Sequence, residues 1–95
     1  MLDVCYRNLR IEPTLAATRE LLKYNKDLTD VLEVLEYGYN CSASKRVENI
    51  LEKCLKREDR ELKVVVAKTS VKYPDGYKEE VWRLIHFGII GKRDE

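Results

Sequence analysis

The stretch that decides the fold of this chain is residues 61–90, ELKVVVAKTSVKYPDGYKEEVWRLIHFGII. Two runs rich in β-branched and aromatic residues flank the segment 73–77, whose Pro-Asp-Gly core is a strong turn signal. This pattern predicts two antiparallel strands, over about 61–70 and about 79–90. A further run predicts a third strand over about 47–57, which is joined to the next strand by a charged turn.

The N-terminal part of the sequence predicts two helices. The first, over about 14–24, begins after Pro13 at Thr14, because a threonine side chain can cap the free amides of a first helical turn. The second follows a break at residues 25–26 and has apolar residues at helical spacing. It ends at Gly38, where we expect the glycine to adopt the left-handed conformation of a helix C-cap.

These elements together predict an α+β fold class. The two N-terminal helices are expected to pack on one face of a three- or four-stranded antiparallel meander, in which the residues before Pro13 supply an edge strand. Ninety-five residues are enough for one hydrophobic core and too few for two. We therefore predict a single domain over residues 1–95.

The first turn sets the register of the first predicted hairpin. A four-residue turn at 57–60 places Cys54 beside Lys63 and Glu52 beside Val65. These four residues are thereby predicted to share one face of the sheet.

The second predicted hairpin is aligned in the same way. If Thr69 faces Glu80, then Lys63 faces His86, which adds the imidazole to the polar group. The opposite face is then almost entirely apolar, and we expect it to form the floor for the two helices. That floor comprises Leu51, Leu55, Leu62, Val64, Val66, Val81, Ile85, Phe87 and Ile89.

The polar group on the mixed face has two explanations. An imidazole at His86 beside the Lys63 ammonium and the Glu52 carboxylate has the chemistry of a general acid–base site. In the structural explanation, His86 is a hydrogen-bonded histidine of the fold, and Glu52 and Lys63 form an ion pair. A metal site of Cys54, His86 and Glu52 has no recognised ligand spacing, so we predict no metal and no cofactor.

Net charge gives little information about partners. The chain has 18 basic residues against 17 acidic ones, so no long-range field indicates a nucleic-acid binder. The part from residue 41 onward is the more basic half. That excess suits either a local phosphate-binding patch or a surface of solvated charges.

The sequence also bears on the compartment. No apolar run approaches the ~18 residues of a membrane span, and the N-terminus lacks the pattern of a signal peptide. Cys5, Cys41 and Cys54 have no CxxC spacing and predict reduced thiols rather than a disulfide framework. We therefore expect a cytoplasmic protein without a membrane partner.

Four segments carry a resemblance to known proteins: Gly38-Tyr-Asn-Cys-Ser-Ala-Ser-Lys-Arg46, Glu52-Lys-Cys-Leu55, Leu62-Lys-Val-Val-Val66 and Val81-Trp-Arg-Leu-Ile-His86. They look like a small uncharacterised family of archaeal proteins with no established activity. More remotely, the helix-helix-strand-strand-strand order resembles BrnT and RelE-type toxins, whose compact sheets carry basic residues and cleave messenger RNA on the ribosome. BrnT-like sequences have a His-x-x-Arg in the first helix, where this chain has Ala16 and Arg19.

The remote resemblance implies a toxin-like ribonuclease or an RNA-binding protein, with an antitoxin-like protein as a further partner. RelE-like enzymes rely on arginine, lysine and tyrosine clusters. The residues of this chain that can stand in for such a cluster are Lys45, Arg46, Lys63, Arg83 and Tyr77.

An RNA-cleaving site would divide the work among these residues. His86 is expected to act as base or acid, and Lys63 to hold the phosphate together with Arg46. Glu52 either orients the imidazole or acts as the partner base. The predicted RNA-binding residues are Lys45, Arg46, Arg83 and, for base stacking, Trp82.

The alternative function is a non-catalytic interaction module. The mixed face is too apolar for a fully solvated surface, so a second copy of the chain or another protein is expected to cover it. In this alternative the protein dimerises or binds its partner through the face that carries Trp82.

Overall fold

The computed structural model describes residues 4–41, 49–58 and 60–91. In chain order the elements are β1 (Cys5–Tyr6), β2 (Leu9–Pro13), α1 (Leu15–Lys23), α2 (Leu28–Tyr37), β3 (Tyr39–Asn40), β4 (Ile50–Arg57), β5 (Arg60–Lys72) and β6 (Lys78–Gly91). Neither of the helices in the described ranges is long and apolar enough to cross a membrane.

The predicted fold class is wrong, because the described residues form a six-stranded mixed half-barrel and not a three- or four-stranded antiparallel meander. The strand order is β1-β2-β6-β5-β4-β3. β2 lies inside the sheet and runs parallel to β6, while the other neighbouring strands are antiparallel. A parallel pair needs a long crossover connection, and the two helices form part of the connection between β2 and β6.

Local sequence explains both helices, which lie where they were predicted. The Thr14 side chain accepts a hydrogen bond from the backbone N–H of Ala17 at 3.1 Å, which caps α1. At the start of α2, Asp27 and Asp30 form a reciprocal capping box.

Gly38 ends α2 for a different reason from the predicted one. Its φ of −80° is not left-handed. A Cβ at this position would lie 2.3 Å from the carbonyl oxygen of Val34 and 2.6 Å from that of Cys54. Glycine is therefore required by the close approach of α2 to β4.

Both helices pack on the same face of the sheet, which we call the helix-side face. From the helices, Ala17, Leu21, Val31, Val34 and Leu35 are buried there. The buried sheet residues of this core are Tyr6, Ile11, Leu55, Leu62, Val64, Val66, Trp82, Leu84 and Phe87. We call the opposite face the outer face.

The predicted register of the first hairpin is confirmed. Cys54 pairs with Lys63, and Glu52 pairs with Val65. Because the first hairpin is regular, the position of its turn alone determines which residues pair.

The predicted register of the second hairpin is wrong. Thr69 pairs with Val81 rather than Glu80, and Lys63 pairs with Gly88 rather than His86. A register shift at Val65/Val66 places a β-bulge in β6 at Ile85, which is the extra residue.

The bulge decides which β6 residues face the core. N-terminal to the bulge, the pairing of β6 differs by one residue from the predicted register. Trp82 and Leu84 therefore face the helices, whereas Val81 and Ile85, contrary to the prediction, do not belong to the apolar floor. C-terminal to the bulge, the extra residue restores the predicted phase, so Phe87 faces the helices and His86 the outer face.

The prediction of three reduced cysteines is also wrong. Cys41 and Cys54 form a disulfide with Cα atoms 5.4 Å apart, whereas Cys5 is a free, exposed thiol. The bond joins the residue after β3 to β4. Because Cys54 is committed to this bond, it is not available for the metal site considered from the sequence.

Candidate functional site

A close pair of a carboxylate and an imidazole, Glu20 on α1 and His86 on β6, lies at the edge of the outer face. Nδ1 of His86 is 3.1 Å from Oε2 of Glu20. Oε1 of Glu20 accepts a hydrogen bond of 2.9 Å from the backbone N–H of Phe87. The His86 side chain is 44% exposed. Because Nδ1 is the ring nitrogen beside the carboxylate, Nε2 is the ring nitrogen left for a substrate.

The local fold explains why Glu20 reaches this point. The backbone N–H of Thr14 donates to the carbonyl of Leu84 at 3.0 Å, which fixes the start of α1 beside β6. From Thr14 to Glu20 the chain rises about 9 Å, and from Leu84 to Phe87 β6 advances about 7 Å, because the bulge places these residues opposite Val66 and Val64. β2 pairs with β6 only as far as Leu84, so the N–H of Phe87 is open to the carboxylate.

Gly88 supplies the space beside the imidazole. A Cβ at position 88 would lie 3.0 Å from Nε2 of His86, so any larger residue would press on the ring. Gly88 also pairs with Lys63. The imidazole therefore lies over the β6 residue that is directly opposite Lys63 on β5.

Lys63 and Glu52 occupy different positions relative to His86. Lys63 is a diagonal neighbour of His86 across one strand pair, because Val65 is the residue that pairs with His86. Glu52 on β4 pairs with Val65 on β5, which in turn pairs with His86 on β6. Glu52 therefore lies two strands away from His86, or about 10 Å. Lys63 and His86 thus lie on the same face of adjacent strands, and Glu20 takes the orienting position that was predicted for Glu52.

The two predicted RNA-binding residues that the structure describes, Trp82 and Arg83, lie on opposite faces of the sheet. Trp82 is only 6% exposed, and its Nε1–H donates to the carbonyl of Tyr6 at 3.0 Å, so it cannot stack on a base. Arg83 is exposed on the outer face, with Nη2 3.5 Å from Oε1 of Glu12. The predictions for Lys45 and Arg46 lie outside the described residues.

A second polar group, which we call the arginine cluster, joins β2 to the second hairpin on the outer face. Arg10 donates to both carboxylate oxygens of Glu79, at 3.4 and 3.1 Å. The hydroxyl of Tyr73 donates to Oε1 of Glu79 at 2.7 Å. Val81, which lies between Arg10 and Thr69 in the sheet, is fully buried. The arginine cluster therefore closes this part of the outer face.

Hydrogen bonding sets the proton affinities in the arginine cluster. The bond from Arg10, followed by that from Tyr73, lowers the pKa of Glu79. The bond to Glu79 raises the pKa of Tyr73 and also that of Arg10. Every member is thus held in its ordinary charge state near neutral pH.

Metal chemistry has no candidate site within residues 4–41, 49–58 and 60–91. In those ranges no group of three or more His, Cys, Asp or Glu side chains is arranged to hold a metal ion.

Comparison of the chain with protein-family models, curated proteins and solved structures finds no match. The resemblance to BrnT and RelE-type toxins stays a prediction. The same holds for the antitoxin-like partner, the homodimer, the cytoplasmic location and the interaction module, although a buried Trp82 cannot anchor that module.

Sequence reasoning missed Glu20 as the partner of His86. The two residues are 66 positions apart, and nothing in the pattern of α1 distinguishes Glu20 from an exposed helical glutamate. Only the parallel pairing of β2 with β6 brings α1 to this edge. The weak signal that was available is glycine at position 88, since a glycine within a strand often marks a close approach.

Proposed function

We propose that this protein cleaves RNA at the outer-face site, with His86 as the proton-accepting base. The observation that carries the proposal is the position of the Glu20 carboxylate, whose Oε1 accepts a hydrogen bond from the Phe87 N–H while its Oε2 lies 3.1 Å from Nδ1 of His86. A carboxylate that is itself fixed by the backbone holds the imidazole in one orientation, with Nε2 free to work. Lys63 lies beside it and supplies a positive charge for a phosphate oxygen.

The proposed reaction is transfer of the phosphate to the neighbouring 2′-oxygen. Nε2 of His86 takes the proton of the 2′-hydroxyl, the 2′-oxygen bonds to phosphorus, and the bond from phosphorus to the 5′-oxygen breaks. The departing 5′-oxygen takes a proton from water. The products are a 2′,3′-cyclic phosphate and a 5′-hydroxyl, and Lys63 stabilises the charge that develops on the phosphorane.

Cleavage of a single-stranded RNA by purified variants tests the proposal. His86→Ala removes the base and is expected to lower the rate by on the order of 10²–10⁴. Lys63→Ala removes the phosphate contact and is expected to lower it by about 10². The cyclic phosphate should be detectable at the new 3′ ends.

The matched control is Lys23→Ala, which removes the same charge from the exposed surface of α1 and should cleave like the wild type. Thermal unfolding of all variants separates loss of chemistry from loss of fold. A folded His86→Ala protein with wild-type cleavage would exclude this site as the catalytic one.

A further inference from the structure

The second hairpin extends beyond the strands that flank it. β4 pairs with β5 only as far as Ala67, and β2 begins its pairing with β6 at Val81. Within the described ranges, the backbones of residues 68–80 pair only within the second hairpin, apart from the Lys68 N–H, which donates to the Asn49 carbonyl at 2.7 Å, and we call this two-stranded segment the arm. The molecule is correspondingly elongated, with extents of 55 × 30 × 21 Å.

Lysines occupy one face of the arm. Lys72 and Lys78 are directly paired across the two strands, and both are exposed. Lys68 points to the same face, four residues or about 13 Å further along β5. Like charges placed directly opposite each other destabilise a strand pair. An anion between Lys72 and Lys78 would reverse this effect.

A second pair of cations continues this face toward the body of the protein. Nζ of Lys68 lies 5.9 Å from the ring centroid of Trp82, and Cζ of Arg7 lies 5.0 Å from that of Tyr6. The two rings pack on each other, with centroids 5.9 Å apart. The buried aromatic pair thus supports cations at both ends.

The face has little acidic compensation. Glu80, paired with Ser70, is the acidic residue of the arm on this side, and it is exposed. Within the described ranges, Arg7, Lys68, Lys72 and Lys78 form no salt bridge. The positive charges on this face of the arm are therefore neutralised by the solvent or by a ligand, not by acidic residues of the described chain.

We infer that the lysine face of the arm binds the sugar-phosphate backbone of single-stranded RNA. The inference rests on the proposed function for the identity of the ligand, whereas the charge pattern stands independently. Within the described ranges, no strand pairs with the edge of β5 from Thr69 to Lys72, so a bound RNA strand can cross it toward the outer face. The lysines then give affinity without sequence preference.

The test measures binding without cleavage. The probe is a fluorescent 2′-O-methyl RNA of about 12 nucleotides, which lacks the 2′-hydroxyl that the proposed chemistry needs and suits the site sizes of single-strand binders. Its anisotropy is followed at several salt concentrations. At about 0.1 M salt, Lys72→Ala combined with Lys78→Ala should weaken binding by on the order of tenfold and flatten the salt dependence.

A second variant is expected to raise thermal stability and to lower RNA affinity. Lys78→Glu replaces a like-charge pair with an opposite-charge pair, so the free protein should melt about 1–5 °C higher while RNA binding falls. Lys56→Ala, which removes an exposed lysine from β4, is the charge-matched control and should bind like the wild type.

The outcomes separate the two proposals. Unchanged affinity and salt slope in the arm variants would overturn the inference, whatever the cleavage result. Tighter lysine-dependent binding of a polyglutamate peptide than of RNA would also overturn it and assign the arm to an acidic protein. Lysine-dependent binding of the methylated RNA without any cleavage of unmodified RNA would keep the inference and remove the proposed function.

Discussion

Two glutamates, Glu20 and Glu79, hold the outer face together in the same way but with different consequences. Each carboxylate has a partner that is distant in sequence: Glu79 accepts hydrogen bonds from Arg10 and Tyr73, and Glu20 accepts one from the Phe87 N–H with Nδ1 of His86 3.1 Å away. The donors to Glu79 are a guanidinium and a phenol, and both direct their hydrogen bonds to the carboxylate. The partners of Glu20 are a backbone N–H, which donates to it, and an imidazole 3.1 Å away, whose second nitrogen faces away from the carboxylate.

This difference separates a closed cluster from an open one. Around Glu79 the opposite charges of the side chains are matched, and Val81 beneath them is fully buried. Around Glu20 the arrangement leaves His86 partly exposed beside Lys63. The pKa shifts in the arginine cluster therefore reflect its structural hydrogen bonds, whereas the partly exposed imidazole beside Glu20 is the better guide to function.

The largest effect that separates the two glutamates is expected in catalysis. Glu20→Gln keeps an oxygen for the Phe87 N–H but no longer favours the Nδ1–H form of His86, so cleavage should fall by about 10–100-fold. Because Glu20 acts through His86, the loss should appear mainly in kcat, with KM little changed. Steady-state cleavage of a short RNA gives both values.

Glu79→Gln is the matched control for that comparison. It removes the same charge from the closed cluster, which contacts no part of the proposed site, and should leave kcat at the wild-type value. Equal losses in both variants would mean that Glu20, like Glu79, acts only on the fold.

The contrast also shows what could be predicted from the sequence. The helix positions, the two turns and the Cys54–Lys63 pairing depend on local signals, such as Thr14 as a cap and Pro-Asp-Gly as a turn. Those predictions are confirmed. The bulge at Ile85 could not be found because the residues around it are mostly apolar, so no polar alternation marked the change of phase.

Long-range pairing accounts for the remaining errors. The parallel contact of β2 with β6 involves residues about 70 positions apart, and short hairpin signals cannot indicate it. Both glutamate contacts depend on that pairing, Arg10 with Glu79 directly and Glu20 with His86 through α1. The site could therefore be placed on the correct strand, yet its orienting residue could not be identified.

An intermediate effect is expected from crowding the imidazole. In Gly88→Ala the new Cβ would lie 3.0 Å from Nε2 of His86, so the ring must shift away from its position beside Glu20. Cleavage should fall by about tenfold, since the ring loses its orientation. Thermal stability should hold or rise slightly, because alanine costs less conformational entropy than glycine in a strand.

Both readouts are needed for the alanine variant. Parallel loss of activity and melting temperature would indicate that Gly88 is required by the fold. Full activity in a stable variant would show that the ring position seen beside Gly88 is not the working one.

The smallest effect concerns the pH dependence of stability in the closed cluster. Hydrogen bonds from Arg10 and Tyr73 lower the pKa of Glu79 in the folded protein. The stabilisation is therefore fully present above the ordinary carboxyl pKa and is lost as the pH falls through the lower, folded value. Comparing wild type with Glu79→Gln isolates this contribution, because both proteins share every other titrating group.

The melting temperature of the wild type should exceed that of Glu79→Gln at neutral pH, and the gap should close between about pH 5 and pH 3. The gap is expected to be modest because the cluster is partly solvated, and added salt should narrow it further. A gap that stayed constant down to pH 3 would show that Glu79 acts by packing and not by its charge. In that event the closed cluster would differ from the open one in shape alone, and only the loss of kcat in Glu20→Gln would distinguish the two glutamates.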